Sequence, residues 1–401
     1  MTTAPTNPST KETPVSPTPA DRPLGVALIG YAFMGRAHSQ AWRTVGAAFD
    51  VAEIARRVIV GRDEEAVAEA ARRLDWDEHA TDWREVITRE DIDIVDIAAP
   101  GFLHAEIAIA ALEAGKHVLC EKPLANDTAE AEAMVAAASA ATTRGQIAAL
   151  GFTYRRVPAL ALARQFVESG KLGTIRQAKA AYLQDWLVDE DAGMSWRLRK
   201  ETAGSGALGD IGSHAIDQIQ HLTGQRATAV RGRLATVVPR RPGPDGPEDV
   251  TVDDAAWATL ELDGGALASV EVSRMAAGAK NRLTIELFGS KGALRFDLES
   301  PNELWFLDAT RPVAEQGFTR VLVTEPEHPY LEAWWPQGHV LGWENAFSNQ
   351  ARDLLVAIRE RDDSPGAAAS FSPDFADGLA LQRVLEAVIA SDAADGATVT
   401  V

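Results

Sequence analysis

Through residue 150 the chain alternates short apolar runs with stretches of helical spacing. Leu24 to Ile29 is an apolar run that breaks into "GYAFMG" and then into the helical "RAHSQAWRTVGAAF": strand, glycine turn, helix. "RVIVGRD" reads as a second strand with a polar end, and "EEAVAEAARRL" as the helix after it. "IDIVDIAAP" is a third strand stopped by Pro100, followed by the helix "HAEIAIAALEAG", which Gly115 closes. "HVLCEKP", the helix "TAEAEAMVAAASAATTRG" and "IAALGFTYR" complete five strands. Parallel neighbours need crossover helices, so this alternation predicts a doubly wound parallel sheet.

Beyond residue 150 the periodicity changes. The helix "PALALARQFVESGKLG" precedes a strand, "IRQAKAAYLQDW", and another helix begins near Gly206. Six strand candidates then follow with few helices between them, from "ATAVRGRLATVV" to "ELWFLD". Turn signals at 263–265 (Asp-Gly-Gly) and 290–292 (Ser-Lys-Gly) mark hairpins, so a mostly antiparallel sheet is expected. Residues 239–250, rich in Pro and Gly, read as a loop, and two helices around 344–361 and 374–391 finish the chain. The fold class is therefore α/β, an N-terminal doubly wound sheet plus a C-terminal α/β domain with an open sheet. The expected division is a disordered tail at 1–22, a dinucleotide-binding domain at 23–150 and a substrate-binding and oligomerisation domain at 151–401.

Composition narrows the function. The chain has 401 residues and a net charge of −19, an acidic excess that would repel nucleic acid or an anionic membrane and favours a soluble protein handling small molecules. The single cysteine, Cys120, can make no internal disulfide, and no Cys/His cluster suits a structural metal, which fits a reducing cytoplasm. Residues 1–22 lack a signal-peptide core, and no run approaches the roughly 18 apolar residues of a membrane span.

Three places carry chemistry. In the glycine turn the dinucleotide-binding register falls on Gly30, Ala32 and Gly35, with Phe33 and Met34 between the last two. A glycine makes the tight turn, another allows close packing, and the helix N-terminus offers free N–H donors to a pyrophosphate. Ala32 adds a methyl where the middle glycine is usual. At the end of the second strand Gly61 takes the usual place of the ribose-binding acid. Arg62 is then poised for the 2′-phosphate of NADP, whereas a shift of two would let Asp63 serve NAD; the reading favours NADP, with a solvated surface arginine as the plain alternative.

The second place is the tip "CEKP", where Pro123 halts a strand at the sheet's carboxyl edge. Lys122 there can stabilise negative charge developing on a substrate oxygen; a surface lysine paired with Glu121 is the competing reading. The third is the helix of "GSGALGDIGSHAIDQIQHL" with its glycine-rich entry. Asp210 and His214 lie four apart on one face, with Asp217 a turn further: an imidazole to take a proton and a carboxylate to orient it. A capping Asp beside a core His, or two ligands of a metal, are the alternatives, and no third ligand is suggested nearby.

Together "LIGYAFMGRAHS", "CEKPLA" and "GSGALGDIGSHAID" resemble the Gfo/Idh/MocA family of nicotinamide-dependent oxidoreductases, over everything but the tail. "YLQDW", "SWRLRKETAGSGALGD" and "EHPYLEAWWP" are similar to its branch of sugar, anhydrosugar and inositol dehydrogenases. The resemblance implies a Rossmann domain, an open sheet that pairs across a homodimer or homotetramer, and hydride transfer from a secondary alcohol to NAD or NADP. It implies that Lys122 binds the reacting oxygen, His214 takes the hydroxyl proton, and Asp210 orients His214 and the substrate. Glu121 would position the lysine or the nicotinamide ribose. Pro100 and His104 would line the cofactor side, although Gly101 stands where the family usually has Asn. Tyr154 and Arg155, after the fifth strand, and Gln184, Trp196 and Arg197, leading into the Asp/His helix, are the candidate polyol-binding residues, with packing of the domain interface as the alternative for the tryptophans. "AWW" at 333–335 reads as an interface seal. The expected activity is an NAD(P)-dependent dehydrogenase acting on a secondary hydroxyl of a sugar, anhydrosugar or inositol. The alternatives are an NAD-dependent glycosidase of the same fold and a non-catalytic nucleotide- or sugar-binding regulator; retention of Lys122, Asp210 and His214 counts against the regulator.

Overall fold

The computed structural model describes residues 22–363 and 371–401. The tail expected at 1–22 thus lies outside the described residues, apart from Arg22. The N-terminal part runs β1 (Leu24–Ile29), α1 (Phe33–Ala48), β2 (Ile54–Val60), α2 (Glu64–Leu74), β3 (Glu78–Ala80), α3 (Trp83–Ile87), β4 (Ile94–Ile97), α4 (His104–Glu113), β5 (His117–Cys120), α5 (Thr128–Thr142) and β6 (Ala148–Leu150). Its six strands pair in the order β3-β2-β1-β4-β5-β6, all parallel. The order reverses at β1/β4, which puts a crevice at their carboxyl ends. The five strands expected from the sequence become six, because the three-residue β3 carries too few apolar positions to show a period. The last strand ends at Leu150; "TYRR" after it coils into a 3₁₀ turn, Thr153–Arg156.

The rest of the chain builds α6 (Pro158–Glu168), β7 (Ile175–Leu183), α7 (Lys200–Ala203), α8 (Ser213–Thr223), β8 (Ala227–Ala235), β9 (Arg240–Gly243), β10 (Gly246–Asp249), β11 (Ala255–Leu262), β12 (Leu267–Ser273), β13 (Arg282–Gly289), β14 (Gly292–Asp297), β15 (Glu303–Asp308), β16 (Thr319–Leu322), α9 (Asn345–Asp363), α10 (Phe375–Ala393) and β17 (Val399–Thr400). Nine of these strands form one sheet, antiparallel except at β7–β12. Side chains alternate across it: Ala178, Ala180 and Tyr182 of β7 point inward, while Lys179 points to the open face. The expected loop at 239–250 is in fact the hairpin β9–β10. A free-standing pair tolerates proline because each strand has an open edge. The hairpin is pinned by the buried Arg241 guanidinium, which donates to Leu187 O (2.8 Å) and Asp189 O (2.6 Å).

Two cores hold the parts together. One joins both domains through β4, β5, α8 and the inner face of the nine-stranded sheet. In the other, Phe347, Leu354, Leu355 and Ile358 of α9 pack back against Val26, Leu28, Trp42 and Val45 of the first sheet and α1. Each such buried side chain contributes about 1.5–3 kcal/mol, so α9 fixes α1, and with it the glycine turn, from behind. Among the described residues no helix is long and apolar enough to cross a membrane.

Candidate active site

The glycine turn has a backbone only glycine fits. Gly30 sits at φ +110°, and a Cβ there would lie 2.5 Å from Ala98 O; one at Gly35 would lie 2.1 Å from Gly30 O. Ala32 is the N-cap of α1 at φ −72°, a conformation that needs no glycine, and it supplies no side-chain cap. The first-turn N–H groups of α1 thus face the crevice without an acidic competitor, which suits the pyrophosphate of a dinucleotide. Phe33, 54% exposed, stacks on Trp343 at 5.5 Å, and Met34 is partly buried beneath the turn.

At the ribose end, a Cβ on Gly61 would fall 2.0 Å from the Tyr31 ring, so no acid fits there with Tyr31 in place. Arg62 is exposed, and Asp63 caps α2 through a bond from Ala66 N at 2.9 Å. Pro100 opens the 3₁₀ turn that leads into α4. His104 does not face the cofactor side as expected: it is buried, with Nδ1 2.9 Å from Pro123 O and Nε2 3.0 Å from Ala99 O. The ring lies between a carbonyl of the Glu-Lys-Pro tip and one at the end of β4, and as a neutral imidazole it donates to one of them. The place beside Gly101, where a Cβ would lie 3.1 Å from Asn126 Oδ1, is filled by Asn126.

Lys122 leaves the tip and crosses the crevice to α8's entry. Its ammonium donates to Asp210 O (2.8 Å) and Asp210 Oδ1 (3.1 Å), while Arg274 Nη2 donates to Asp210 Oδ2 (2.8 Å). Loss of water opposes the Asp210 charge, but Lys122 and Arg274 outweigh it and hold the carboxyl well below the usual range. The expected Asp210–His214 pair is not formed: the Asp210 carboxylate turns to Lys122 and Arg274, and His214 Nδ1 has no hydrogen-bond partner. The register contributes: Leu208–Gly212 is a π-turn, whose wider winding breaks the one-above-the-other stacking of residues four apart. Asp253 holds that turn, accepting from Gly206 N (2.8 Å) and Leu208 N (2.7 Å). Gly206 is obligatory there, since a Cβ would lie 1.8 Å from Asp253 O.

His214 sits instead among aromatic rings: Tyr154 at 4.5 Å, Phe152 at 5.7 Å and Tyr182 at 5.9 Å. Its Nδ1 is buried with no hydrogen-bond partner. Burial first, and then the Lys122 charge, push its pKa well below the ordinary value, so the ring is a neutral proton acceptor at physiological pH. Tyr154 hydroxyl meets Tyr182 hydroxyl at 2.8 Å, Asn281 Nδ2 at 3.4 Å and Trp343 Nε1 at 3.3 Å; Gln184 Nε2 donates to Asn281 Oδ1 at 2.8 Å. Tyr154 and Gln184 thus belong to one polar network around His214. Trp196 and Arg197 pair with each other, guanidinium over ring at 4.5 Å, on the loop before α7.

Arg155 was expected to meet substrate, but it is buried: Nε donates to Asp217 (3.0 and 3.2 Å) and Nη1 to Ser372 (2.9 Å) and Asp377 (3.3 Å). Asp217 accordingly belongs to this interior ion pair and not to the face of Asp210. Of "AWW", Trp334 packs inside the chain, edge-on to Phe49 at the end of α1 at 5.4 Å and donating to Asn349 of α9 at 2.9 Å, whereas Trp335 is exposed. Among the described residues no group of three or more His, Cys, Asp or Glu could hold a metal. Arg274, Tyr182, Asn281, Trp343, His38 and Asp96 were missed from the sequence; His38, three residues past Gly35, and Tyr182, at the head of "YLQDW", stood in stretches that carry the resemblance.

Comparisons with known proteins bear on the family and the fold. Residues 24–148 match the family described as "Oxidoreductase family, NAD-binding Rossmann fold", and residues 160–295 the "GFO/IDH/MocA C-terminal domain". Levoglucosan dehydrogenase of Pseudarthrobacter phenanthrenivorans is 40% identical over 92% of this chain and 96% of its own length. An oxidoreductase domain protein from Kribbella flavida superposes with a TM-score of 0.90 at 53% identity, over 94% of this chain and 99% of that one. A levoglucosan dehydrogenase in complex with NADH and levoglucosan superposes with a TM-score of 0.89 at 40% identity, over 95% and 100% of the two chains.

Proposed function

The chain belongs to the Gfo/Idh/MocA family of NAD-binding oxidoreductases, and we propose that it oxidises a secondary hydroxyl of a sugar, anhydrosugar or inositol, with levoglucosan the first compound to test. The observation that carries this reading is the pairing of a cation, Lys122, held on Asp210 at the crevice, with a neutral imidazole, His214, whose Nδ1 has no hydrogen-bond partner, in one aromatic and polar surround.

The uncapped start of α1, Gly30 and Gly35 would hold the pyrophosphate. Bound nicotinamide supplies the hydride acceptor. Lys122, held on Asp210, would donate to the reacting hydroxyl oxygen and stabilise the negative charge that grows there. His214 would accept the hydroxyl proton, and the aromatic wall of Tyr154 and Tyr182 would exclude water around it. Two cations share the one carboxylate of Asp210, so the cluster keeps a net positive charge facing the substrate oxygen. Gln184 and Asn281 offer hydrogen bonds to the remaining hydroxyls, and Trp196 an apolar face for the ring.

For the cofactor we now read NAD. The preference for NADP rested on Arg62, while Asp63 stands at the α2 N-terminus with one carboxylate oxygen free of the cap, and the dehydrogenase neighbour carries NADH. Assembly as a homodimer or homotetramer would use the open face of the nine-stranded sheet. A concavity of about 930 Å³ lies there, lined by Trp257, Trp305, Arg231, Glu286 and Arg295, a mixed surface able to meet its own copy. A reducing cytoplasm remains the compartment we assign, from Cys120, a single buried thiol.

The test is a panel of levoglucosan, myo-inositol and free hexoses with NAD and NADP separately, followed by reduced-nicotinamide absorbance. Turnover of at least one supports the proposal. Cofactor binding with no polyol turned over by either cofactor refutes it, and glycoside cleavage without net reduction would move the chain to the glycosidase reading.

A further inference from the structure

Behind Lys122 lies a second ionic cluster, closed to solvent, which the proposed mechanism does not use. His38 of α1 is 2% exposed and bonds a carboxylate at each ring nitrogen: Nδ1 lies 2.9 Å from both Asp96 oxygens, and Nε2 3.0 Å from Glu121 Oε1. Trp42 Nε1 also donates to Asp96 Oδ2, at 2.6 Å. The other Glu121 oxygen accepts the Lys122 backbone N–H at 3.2 Å. Gly151 leaves the room for this carboxylate, since a Cβ there would lie 2.8 Å from Glu121 Oε1. The bonds form one continuous line from the helix that starts at the glycine turn to the backbone of the lysine.

We infer that His38 is a positioning residue for Lys122, acting as a buried imidazolium that fixes the Glu121 carboxylate and, through it, the peptide from which the lysine side chain starts. The inference rests on the reading of Lys122 as the group that meets the substrate hydroxyl. Two carboxylates on one ring need both nitrogens protonated. Burial opposes that charge, but Asp96 and then Glu121 raise the His38 pKa to about 10. The other groups around it do not replace it. Burial keeps the neighbouring Cys120 thiol protonated, with its pKa pushed up. Burial likewise holds His104, on α4, below its ordinary value. Across α1, α9 brings only the uncharged Phe347 ring, at 5.5 Å. Lys122 itself spends its ammonium on Asp210. Without His38, Asp96 and Glu121 become two facing acids in a closed space, and one of them must take up a proton or turn away.

His38→Gln tests this. With the sugar selected by the panel, kcat should fall about tenfold or more, by analogy with loss of the hydrogen-bonding partner of a metal ligand, while KM for the sugar changes far less. The pH profile of kcat should gain a new limb in the neutral range, where the parent is flat. A crystal structure of the variant should show Lys122 Nζ displaced from its positions 2.8 and 3.1 Å from Asp210. A variant that only melts earlier, with the parent's kcat and profile, overturns the inference; so does one whose Lys122 stays in place, and that arm needs no turnover. Should His38→Gln fail to fold, Asp96→Asn keeps one acceptor oxygen, at the place of Oδ2 that faces both Trp42 and His38, while removing one charge. Its His38 ionisation should drop into the accessible range and kcat should decline as pH rises through it; an unchanged profile again overturns the idea. Lys122→Ala in the same assay separates the two readings. If it keeps the parent's rate, the assigned role of Lys122 fails, whereas a dead Lys122→Ala beside a parent-like His38→Gln removes only the role of His38.

Discussion

Lys122 stands between two ionic clusters of opposite design. Behind it, two acids share one cation, Asp96 and Glu121 on His38, with side chains 0–6% exposed. In front, two cations share one acid, Lys122 and Arg274 on Asp210, and the Asp210 side chain keeps 35% of its exposure. The closed cluster has all its partners and nothing to exchange them for. The open one has a surplus cation, a carboxylate at the crevice and a neutral imidazole nearby, so an arriving hydroxyl can join it. Burial with complete pairing makes a fixture, and partial exposure with a charge surplus makes a site.

A third cluster, Arg155 with Asp217 and Asp377, is of the closed kind and gives the largest expected effect. Arg155→Met leaves Asp217 buried without its cation, while Asp377 keeps Arg226, and should cost about 3–5 kcal/mol of folding stability, read as a lowered denaturation midpoint. A change under about 1 kcal/mol would place the cluster among the weak surface pairs. Next, Lys122→Ala should cost about 2.7–4 kcal/mol of transition-state stabilisation in kcat/KM, with the fold retained. If the melting temperature dropped instead and the rate survived, front and rear would have the same structural role.

The contrast also predicts a pH dependence of stability. His38 has its folded pKa raised to about 10, so its contribution is complete below the unfolded value near 6.5 and is lost as pH rises toward 10. His117 and His221, lowered by burial to about 4 and about 3, act in the opposite sense. They remain neutral in the fold while the unfolded chain binds protons, so stability falls as pH drops below about 6.5. Melting temperatures should therefore peak near neutrality, and His38→Gln should flatten the alkaline side alone. A parent curve flat from neutral to alkaline pH would argue that His38 is uncharged.

Arg274→Met tests the front cluster more gently. Asp210 should lose half of its ionic support, its pKa should rise toward the ordinary carboxylate value, and the acid limb of kcat/KM should move to higher pH. An unmoved limb would mean that Lys122 alone sets the state of Asp210. The smallest effect belongs to Arg62→Ala, an exposed side chain, which should change cofactor binding by less than about 1 kcal/mol. A selective loss of NADP affinity would revive the preference read from the sequence; equal small effects on both cofactors would remove it.

How legible these clusters were follows from their chemistry. Gly30, Gly35, Lys122 and the Asp210–His214 helix lie in short local motifs whose residues are constrained by neighbours a few positions away. Arg155 and His104 looked like binding residues, because a polar side chain at a crevice-facing turn carries no mark of a distant partner. Their partners are 62 and 222 residues away for Arg155, at Asp217 and Asp377, and backbone carbonyls for His104.

The sequence by itself determined the alternation of strands and helices, the doubly wound first sheet, the antiparallel second one and the three loci of chemistry, because period, glycine and proline act over a few residues. Only the tertiary structure decided which acid each cation meets. Ion pairing depends on distance in space and on access to water, and the chain brings Arg274 to Asp210, Asp96 to His38 and Asp217 to Arg155 only once the two sheets close on each other. Asp210 was legible as an acid beside a histidine; that it holds a lysine instead was settled by the fold.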